Sequence, residues 1–425
     1  MKNLRLLTTL CLALTTVGGM SQTLEQCQQA AEQNYPLIER YGLIDRSEQM
    51  GVKSARRGWL PGLTASAQAT LQSDVVAWPD EMQTMIRQMG IDLKGLKKDQ
   101  YRLGIDVSQT IYDGGAISSR TELARSEGRL SRAQTETELY QVRQRVSELF
   151  FRLLMLDEEI QLGTDLCELL SANEKKLQAM LRGGTASESD WQAMRAERLS
   201  AASRLKSLQL QRQTAARVLS LLCGMEVNSP VRPTPLKRAT GPALRPELKV
   251  IDARIALNRA QEKALLSTAK PKLGLFAQGF YGYPGLNMFE DMLRHDFSPG
   301  GIVGARLTWN IGSLYTLGSD RARLAAQRQM YDVERDVFLF NNRLTELQQS
   351  EGIDTYRQQT EADAEIVQLR RGVRLAAESK LEHGVIAVSD LIREINAENA
   401  AQVEQSVHEL QMLKEMYDLK ITLNN

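Results

Sequence analysis

Two periodicities alternate along this chain, and each occurs in both halves. From Leu63 apolar and polar residues alternate strictly, with Leu63, Ala65, Ala67, Ala69 and Leu71 on one face and Thr64, Ser66, Gln68, Thr70 and Gln72 on the other. That is the signature of a strand with two unlike faces. A second stretch sets Tyr101, Leu103, Ile105, Val107 and Ile111 against Arg102, Gly104, Asp106, Ser108 and Thr110. A third sets Leu273, Leu275, Ala277 and Tyr281 against Gly274, Gln278 and Gly282, with Phe276 and Phe280 breaking its polar face. In the fourth, Val303, Ala305, Leu307, Trp309 and Ile311 oppose Gly304, Arg306, Thr308 and Asn310. Each stretch is close to the roughly nine to eleven residues that a tilted transmembrane strand needs.

Between the strand pairs the period changes. Leu139, Val142, Val146, Leu149, Leu153, Leu156 and Ile160 follow the alternating three-and-four spacing of a coiled-coil seam. The region from about Ala116 to Leu181 contains no proline and only Gly128 and Gly163. At about 1.5 Å per residue such a helix reaches roughly 100 Å. Gly183-Gly184 supplies a turn, and a second helix is expected from about Ser187 to Leu222. The second half predicts a helix from about Ser319 to Leu381, a turn at His383-Gly384 and a helix from about Val388 to Leu423. Shorter helices are expected before each strand pair, at about 36–57 and 246–269.

The halves also match in sequence. Pro36, Lys53 and Pro61 recur as Pro246, Lys263 and Pro271, and Leu63, Ala67 and Gln68 as Leu273, Ala277 and Gln278, at an offset of 210. Beyond the first loop the offset becomes 200: Gly104, Ile111, Leu181, Gly184, Ser189, Asp190 and Ala201 recur as Gly304, Ile311, Leu381, Gly384, Ser389, Asp390 and Ala401. The order and spacing of these identities argue for duplication. The expected organisation is a signal peptide at 1–21, a first repeat at 22–225, a proline-rich linker at 226–245 and a second repeat at 246–425. Each repeat holds a helix, two strands and a long helical hairpin, with extracellular loops at 74–100 and 284–300.

Four strands cannot close a barrel, and in lipid every sheet edge must be paired. Other copies must therefore supply the pairing, and three chains would give twelve strands. Long helices with apolar stripes would pack side by side into a tube for the same reason.

Charge and composition narrow the class. Lys and Arg total 53 against 52 Asp and Glu, which argues against nucleic acid as the main partner. With 42% hydrophobic residues, only 5% aromatic and 11 prolines in 425 residues, the chain suits long helices and can bury a core. Lys2 and Arg5 precede the apolar run Leu6–Leu14, followed by Gly18, Gly19 and Ser21, the layout of a cleaved export signal. Leu10 and Gln26 precede Cys11 and Cys27, where lipidation would need a small residue. Without the signal the cysteines are Cys27, Cys167 and Cys223, and their spacing implies neither a disulfide framework nor a zinc site. His295, His383 and His408 lack metal-binding or nucleophile-activating spacing. No metal, cofactor or enzyme activity is expected.

The residues now resemble the TolC-type outer-membrane efflux family over essentially the whole mature chain. The resemblance rests on Asn34-Tyr35-Pro36 opening the first half, and on Leu60-Pro61-Gly62-Leu63 and Lys270-Pro271-Lys272-Leu273 entering the first strand of each pair. Gln109-Thr110-Ile111-Tyr112-Asp113-Gly114-Gly115 leaves the second strand, and the tips read Gly184-Thr185-Ala186-Ser187-Glu188-Ser189-Asp190 and Gly384-Val385-Ile386-Ala387-Val388-Ser389-Asp390. The resemblance implies a mainly α fold with a small transmembrane β-barrel portion, closing as a homotrimeric α/β channel-tunnel with a twelve-stranded barrel. It further implies a passive exit duct of a tripartite efflux or type I secretion system, with a periplasmic adaptor (membrane fusion) protein, an inner-membrane pump and outer-membrane lipid as partners. A periplasmic coiled-coil scaffold or adaptor is the alternative; it would explain the helices but not the strands.

The sequence departs from the family at Asn310-Ile311-Gly312-Ser313-Leu314, where Asp-Gly-Gly would be expected, and at Arg393, where relatives often carry an acid one turn after the tip aspartate. The expected functional residues fall into three groups. Asp390, Arg393 and Asp190 are candidates for the pore entrance, although both aspartates equally fit a plain role at helix starts. Gly183, Gly184, His383 and Gly384 would form tips that dock the adaptor. Trp59, Trp78, Tyr101, Tyr112, Tyr281, Tyr283 and Trp309 would sit at the membrane interfaces. Met82, Met85, Ile86 and Met89 fit a short helix over the pore mouth and a packed loop equally well.

Overall fold

The computed structural model describes residues 22–90, 95–236 and 245–424. The expected signal peptide at 1–21 lies outside the described residues, as do parts of the loop at 74–100 and of the linker. The order of elements is α1 (Leu24–Asn34), α2 (Arg40–Arg56), β1 (Gly62–Leu71), α3 (Asp80–Gln88), β2 (Asp99–Tyr112), α4 (Ala116–Arg182) and α5 (Glu188–Cys223) in the first repeat. The second runs α6 (Pro246–Thr268), β3 (Lys272–Tyr283), α7 (Met288–Arg294), β4 (Ser298–Thr308), α8 (Ser313–Glu382) and α9 (Val388–Leu423). The chain is mainly helical. Contacts divide it into two units, one of residues 1–40, 135–248 and 336–425 and one of residues 41–134 and 249–335, so each unit draws on both repeats.

Several boundaries differ from the sequence reading for identifiable reasons. Helix α1 was not anticipated, although its start is written in the chain: Thr23 and Gln26 form a reciprocal capping box. The single helix expected at 36–57 is a 3-10 turn at Pro36–Glu39 followed by α2. Strand β4 lies earlier than expected, so Trp309 and Ile311 fall beyond its end. Its first half is Pro299, Gly300 and Gly301, paired with Tyr281, Phe280 and Gly279, and such a run shows no alternation to read. Helix α8 starts at Ser313 rather than near Ser319. Successive backbone bonds from Ser313, Leu314 and Tyr315 to the carbonyls of Asn310, Ile311 and Gly312 wind the chain directly into it.

In the first unit, the face of α1 formed by Leu24, Cys27 and Ala31 packs on Val146, Phe150 and Leu153 of α4, Leu219 and Cys223 of α5, and Leu410 and Tyr417 of α9. The α4 seam is buried at Leu139, Val142, Val146, Leu153 and Leu156, as its spacing requires. A second cluster joins all four long helices through Leu170 and Leu177 (α4), Met194 (α5), Ala377 (α8), and Leu391 and Ile395 (α9).

The second unit holds an antiparallel meander, β1-β2-β3-β4. Helix α2 lies along the start of α4, where Arg132 reaches Asp45 at 2.8 Å and Glu48 at 2.5 Å. Helix α6 lies likewise along α8, with Arg328 at 2.5 Å and Arg321 at 3.2 Å from Glu262. The Arg328 hydrogen bond, followed by that from Arg321, holds the Glu262 carboxyl below its ordinary range.

Candidate functional site

The sheet register shows how the four alternating stretches combine. Ala65 opposes Ile105, Val107 opposes Ala277, and Ala277 opposes Val303. Directly opposed residues share a face, so the apolar sets of all four strands merge into one surface. It is uncovered: Leu63 is 72% exposed, Leu103 62% and Val303 80%. Toward the end of β2 a bulge shifts the pairing between Thr110 and Tyr112, so Tyr112, rather than Ile111, faces Leu273. The expected place of Ile111 in the apolar series is thereby corrected, because the bulge makes it the extra residue.

The opposite face carries Thr64, Gln68, Arg102, Asp106, Gln278 and Arg306. Gln278 donates to Asp106 at 2.5 Å. Phe276 and Phe280, the two interruptions noted in the sequence, lie over glycines: a Cβ at Gly300 would stand 2.4 Å from the Phe280 ring, and one at Gly304 would stand 2.9 Å from Phe276. Arg102 stacks on Phe280 at 3.5 Å from the ring centroid and Arg306 on Phe276 at 4.7 Å. The two rings therefore support cations on a polar surface.

The expected interfacial aromatics divide. Trp59, Tyr112 and Trp309 are exposed at the helix end of the sheet, Trp309 donating to the Ala269 carbonyl at 3.0 Å. At the loop end Tyr101 and Tyr281 are exposed, and both contact Phe297, a ring that sequence reasoning missed. Tyr283 is a correction. It is only 3% exposed, packs with Leu96 and Met292, and accepts a hydrogen bond from the Lys97 backbone, so its ring serves the loop cluster rather than an exposed girdle. Trp78 is half-buried beside that cluster and tilts against Phe289. Met82, Met85 and Met89 belong to or flank the short helix α3, and all three are exposed.

In the first unit the two hairpin tips have the same backbone. After α4, Gly184 takes φ +73° while the N–H of Thr185 reaches back to Met180; after α8, Gly384 takes φ +70° while that of Val385 reaches Lys380. This is the Schellman closure, which needs a left-handed residue and so favours glycine. Gly183 and His383 precede those positions, and the His383 ring contacts the Ser379 carbonyl. Ala186 and Ile386 pack against the cluster that holds the four helices together. Asp190 and Ser187 cap α5 reciprocally. Asp390 accepts from the Ala387 N–H at 3.3 Å and from Arg393 Nη2 at 3.0 Å, with both charged side chains reaching solvent.

A pair of ion bridges below the tips was missed. Glu174 of α4 binds Arg198 of α5, and Arg374 of α8 binds Glu398 of α9. The positions differ by the repeat offset of 200, with acid and base exchanged. A comparison by identity cannot see such a swap.

Residues 27–225 match the model of the family described as outer membrane efflux protein. The match spans nearly all of the first repeat. The fold likeness extends over the second repeat as well. The chain is similar to the outer membrane protein VceC of Vibrio cholerae, with 14% identity and TM-score 0.68, covering 94% of each chain. It is also similar to the Campylobacter jejuni CmeC outer membrane channel, with 13% identity and TM-score 0.68, covering 94% of this chain and 85% of that one. The Neisseria gonorrhoeae MtrE outer membrane channel, solved in its open state, has 14% identity and TM-score 0.65, covering 95% and 89%. The sequence alone matches no curated protein.

The family match over residues 27–225, together with the fold of the whole chain, supports a place in the outer membrane, extending into the periplasm. Among the described residues no helix is long and apolar enough to cross a membrane. Among the same residues no cluster of His, Cys, Asp or Glu is arranged to hold a metal ion.

Proposed function

We propose that this chain is one third of a passive exit duct. Three copies join their sheets into a twelve-stranded barrel and their hairpins into a periplasmic tube, each repeat (22–225 and 246–425) supplying two strands and one hairpin. The tips at Gly183-Gly184 and His383-Gly384 dock a periplasmic adaptor, and substrate comes from an inner-membrane pump. Asp190, Asp390 and Arg393 stand at the entrance, the loops at 74–100 and 284–300 open outside, and the interfacial aromatics hold the barrel at headgroup level.

The observation that carries this reading is the sheet. It has one continuous exposed apolar face, a polar face bearing Arg102, Asp106 and Arg306, and two outer strands, β1 and β4, each paired on one side only. In lipid such edges are untenable unless other copies pair with them. Helix α8 adds a second argument for self-association: Met330, Val333, Val337, Phe340, Leu344 and Leu347 follow three-and-four spacing and are all exposed, an apolar seam left open among the described residues.

The test is to recover the protein from the outer-membrane fraction, weigh it in detergent by light scattering and record it in planar bilayers. Three chains per particle and a steady conductance are expected. A monomer, or a water-soluble periplasmic protein, would return the chain to the scaffold or adaptor alternative.

A further inference from the structure

The fold of the first unit brings together two cysteines that the sequence leaves far apart. Cys27, near the start of α1, and Cys223, the last residue of α5, are separated by 196 positions, yet the Cys223 thiol donates to the Cys27 carbonyl at 3.4 Å. The neighbouring Cys223 thiol raises that of Cys27, with burial adding to it, and the Cys27 thiol lowers that of Cys223. Both lie in the main core at 0% and 3% exposure, between Leu24, Ala31 and Leu219.

The surrounding bonds hold the two helices in this register. Asn34, at the other end of α1, donates to the carbonyls of Leu221 and Leu222 at 3.2 Å, capping α5. Gln22 pairs with the chain beyond α5, through its N–H to Ser229 at 3.3 Å and its carbonyl from Val231 at 3.0 Å. Helix α1 is thus fastened before and after Cys27, and the Cys223 sulfur lies against the Cys27 backbone inside the fastened stretch. Cys167, the remaining cysteine among the described residues, is half-buried on α4 and has no such neighbour in the core.

We propose that Cys27 and Cys223 form a disulfide in the exported protein, stapling the first helix to the end of α5. The proposal rests on the reading of this unit as periplasmic, since that compartment is oxidising. The oxidant is a periplasmic dithiol–disulfide oxidoreductase in its oxidised form. The Cys223 thiolate attacks a sulfur of the oxidant's disulfide and displaces one of its thiolates. The Cys27 thiolate then attacks Cys223 Sγ, the new S–S bond forms and the oxidant's second thiolate leaves. Two protons and two electrons pass from the cysteines to the oxidant, which ends as a dithiol. Because both sulfurs are buried once α1 has docked, the exchange belongs to the stage before docking. The closed loop then removes freedom from the unfolded chain.

The experiment traps free thiols with N-ethylmaleimide in denaturant, using full-length protein taken from the outer-membrane fraction, and maps the tryptic digest without reductant. The expected result is a linked pair, the peptide ending at Arg40 joined to the peptide beginning at Val218, in most of the material. The link should vanish after reduction and be absent from Cys27→Ser, with Cys167 alkylated throughout. Outer-membrane protein with Cys27 and Cys223 both alkylated, or a link through Cys167 instead, would overturn the staple while leaving the channel reading intact. Absence of the protein from the outer membrane would overturn the reading beneath it.

Discussion

Ala67 and Gln68 are neighbours in β1 with opposite surroundings. Ala67 opposes Leu103 on the apolar face, and Gln68 opposes Arg102 on the polar one. A lysine at Ala67 is expected to cost about 2–4 kcal/mol if it meets the bilayer midplane, whereas Gln68→Lys adds a charge to the polar face, where repulsion from Arg102 should cost less than about 1 kcal/mol. Unfolding of the two variants from liposomes measures the difference, and equal losses would reverse the assignment of faces. At this scale the sequence was informative wherever alternation was strict, as in β1. It was silent where small residues replace side chains: Gly300 and Gly301 carry no pattern, although they form the floor beneath Phe280. Tyr283 failed differently. An aromatic at a strand end reads the same whether its ring faces lipid or folds into a loop cluster, and only the packing around Leu96 and Met292 distinguishes them.

The helical hairpins repeat as elements more faithfully than as sequences. Their turns were legible because glycine at a left-handed position is a local requirement, and the α4 seam was legible because its period matches its burial. The ion pairs were not, because Glu174–Arg198 and Arg374–Glu398 keep the bridge while exchanging its ends. The second bridge is the more enclosed, with side chains 10% and 8% exposed. Arg374→Ala should therefore destabilise the hairpin by about 3–5 kcal/mol, since it leaves Glu398 as an unpaired buried charge. Exchanging the pair, Arg374→Glu with Glu398→Arg, should recover part of that loss. Recovery should improve on adding Glu378→Gln, because Glu378 now bonds Arg374 at 2.8 Å and would repel a glutamate there, while the first repeat has Gln178 at that position. Thermal denaturation in detergent ranks the variants. If the exchanged pair proves no more stable than Arg374→Ala, the two hairpins are not equivalent in the way their offset implies.

For the whole molecule, the tips and the entrance are where assembly and transport can be separated. A Cβ added at Gly184 or Gly384 would have nothing within 4 Å, so a larger side chain meets open space and only the positive φ, costing about 1–2 kcal/mol at each site, opposes it. If the chain assembles and docks as proposed, Gly184→Leu with Gly384→Leu is accordingly expected to spare trimer formation on gels and abolish export; loss of the trimer would make these turns structural. The entrance prediction follows from symmetry. In a threefold tube Asp390 occurs three times around a narrow ring, and three carboxylates attract cations and repel one another unless paired. Arg393, three residues on and one helical turn away, already reaches Asp390 at 3.0 Å within the chain and stands 3.6 Å from Glu394. On the proposed trimer its guanidinium would neutralise a ring that is otherwise acidic. Arg393→Ala should then raise passive conductance in planar bilayers, shift selectivity toward cations and introduce block by divalent ions. Asp390→Ala should raise conductance without the cation preference, and it gives up one bond to the Ala387 N–H at the start of α9. Asp190→Ala removes the matching cap in the first repeat, where Arg393 has only Ala193 as its counterpart, and so isolates the cost of capping. Unchanged conductance in both Asp390→Ala and Arg393→Ala would put the constriction elsewhere in the tube and leave Asp390 with the capping role alone.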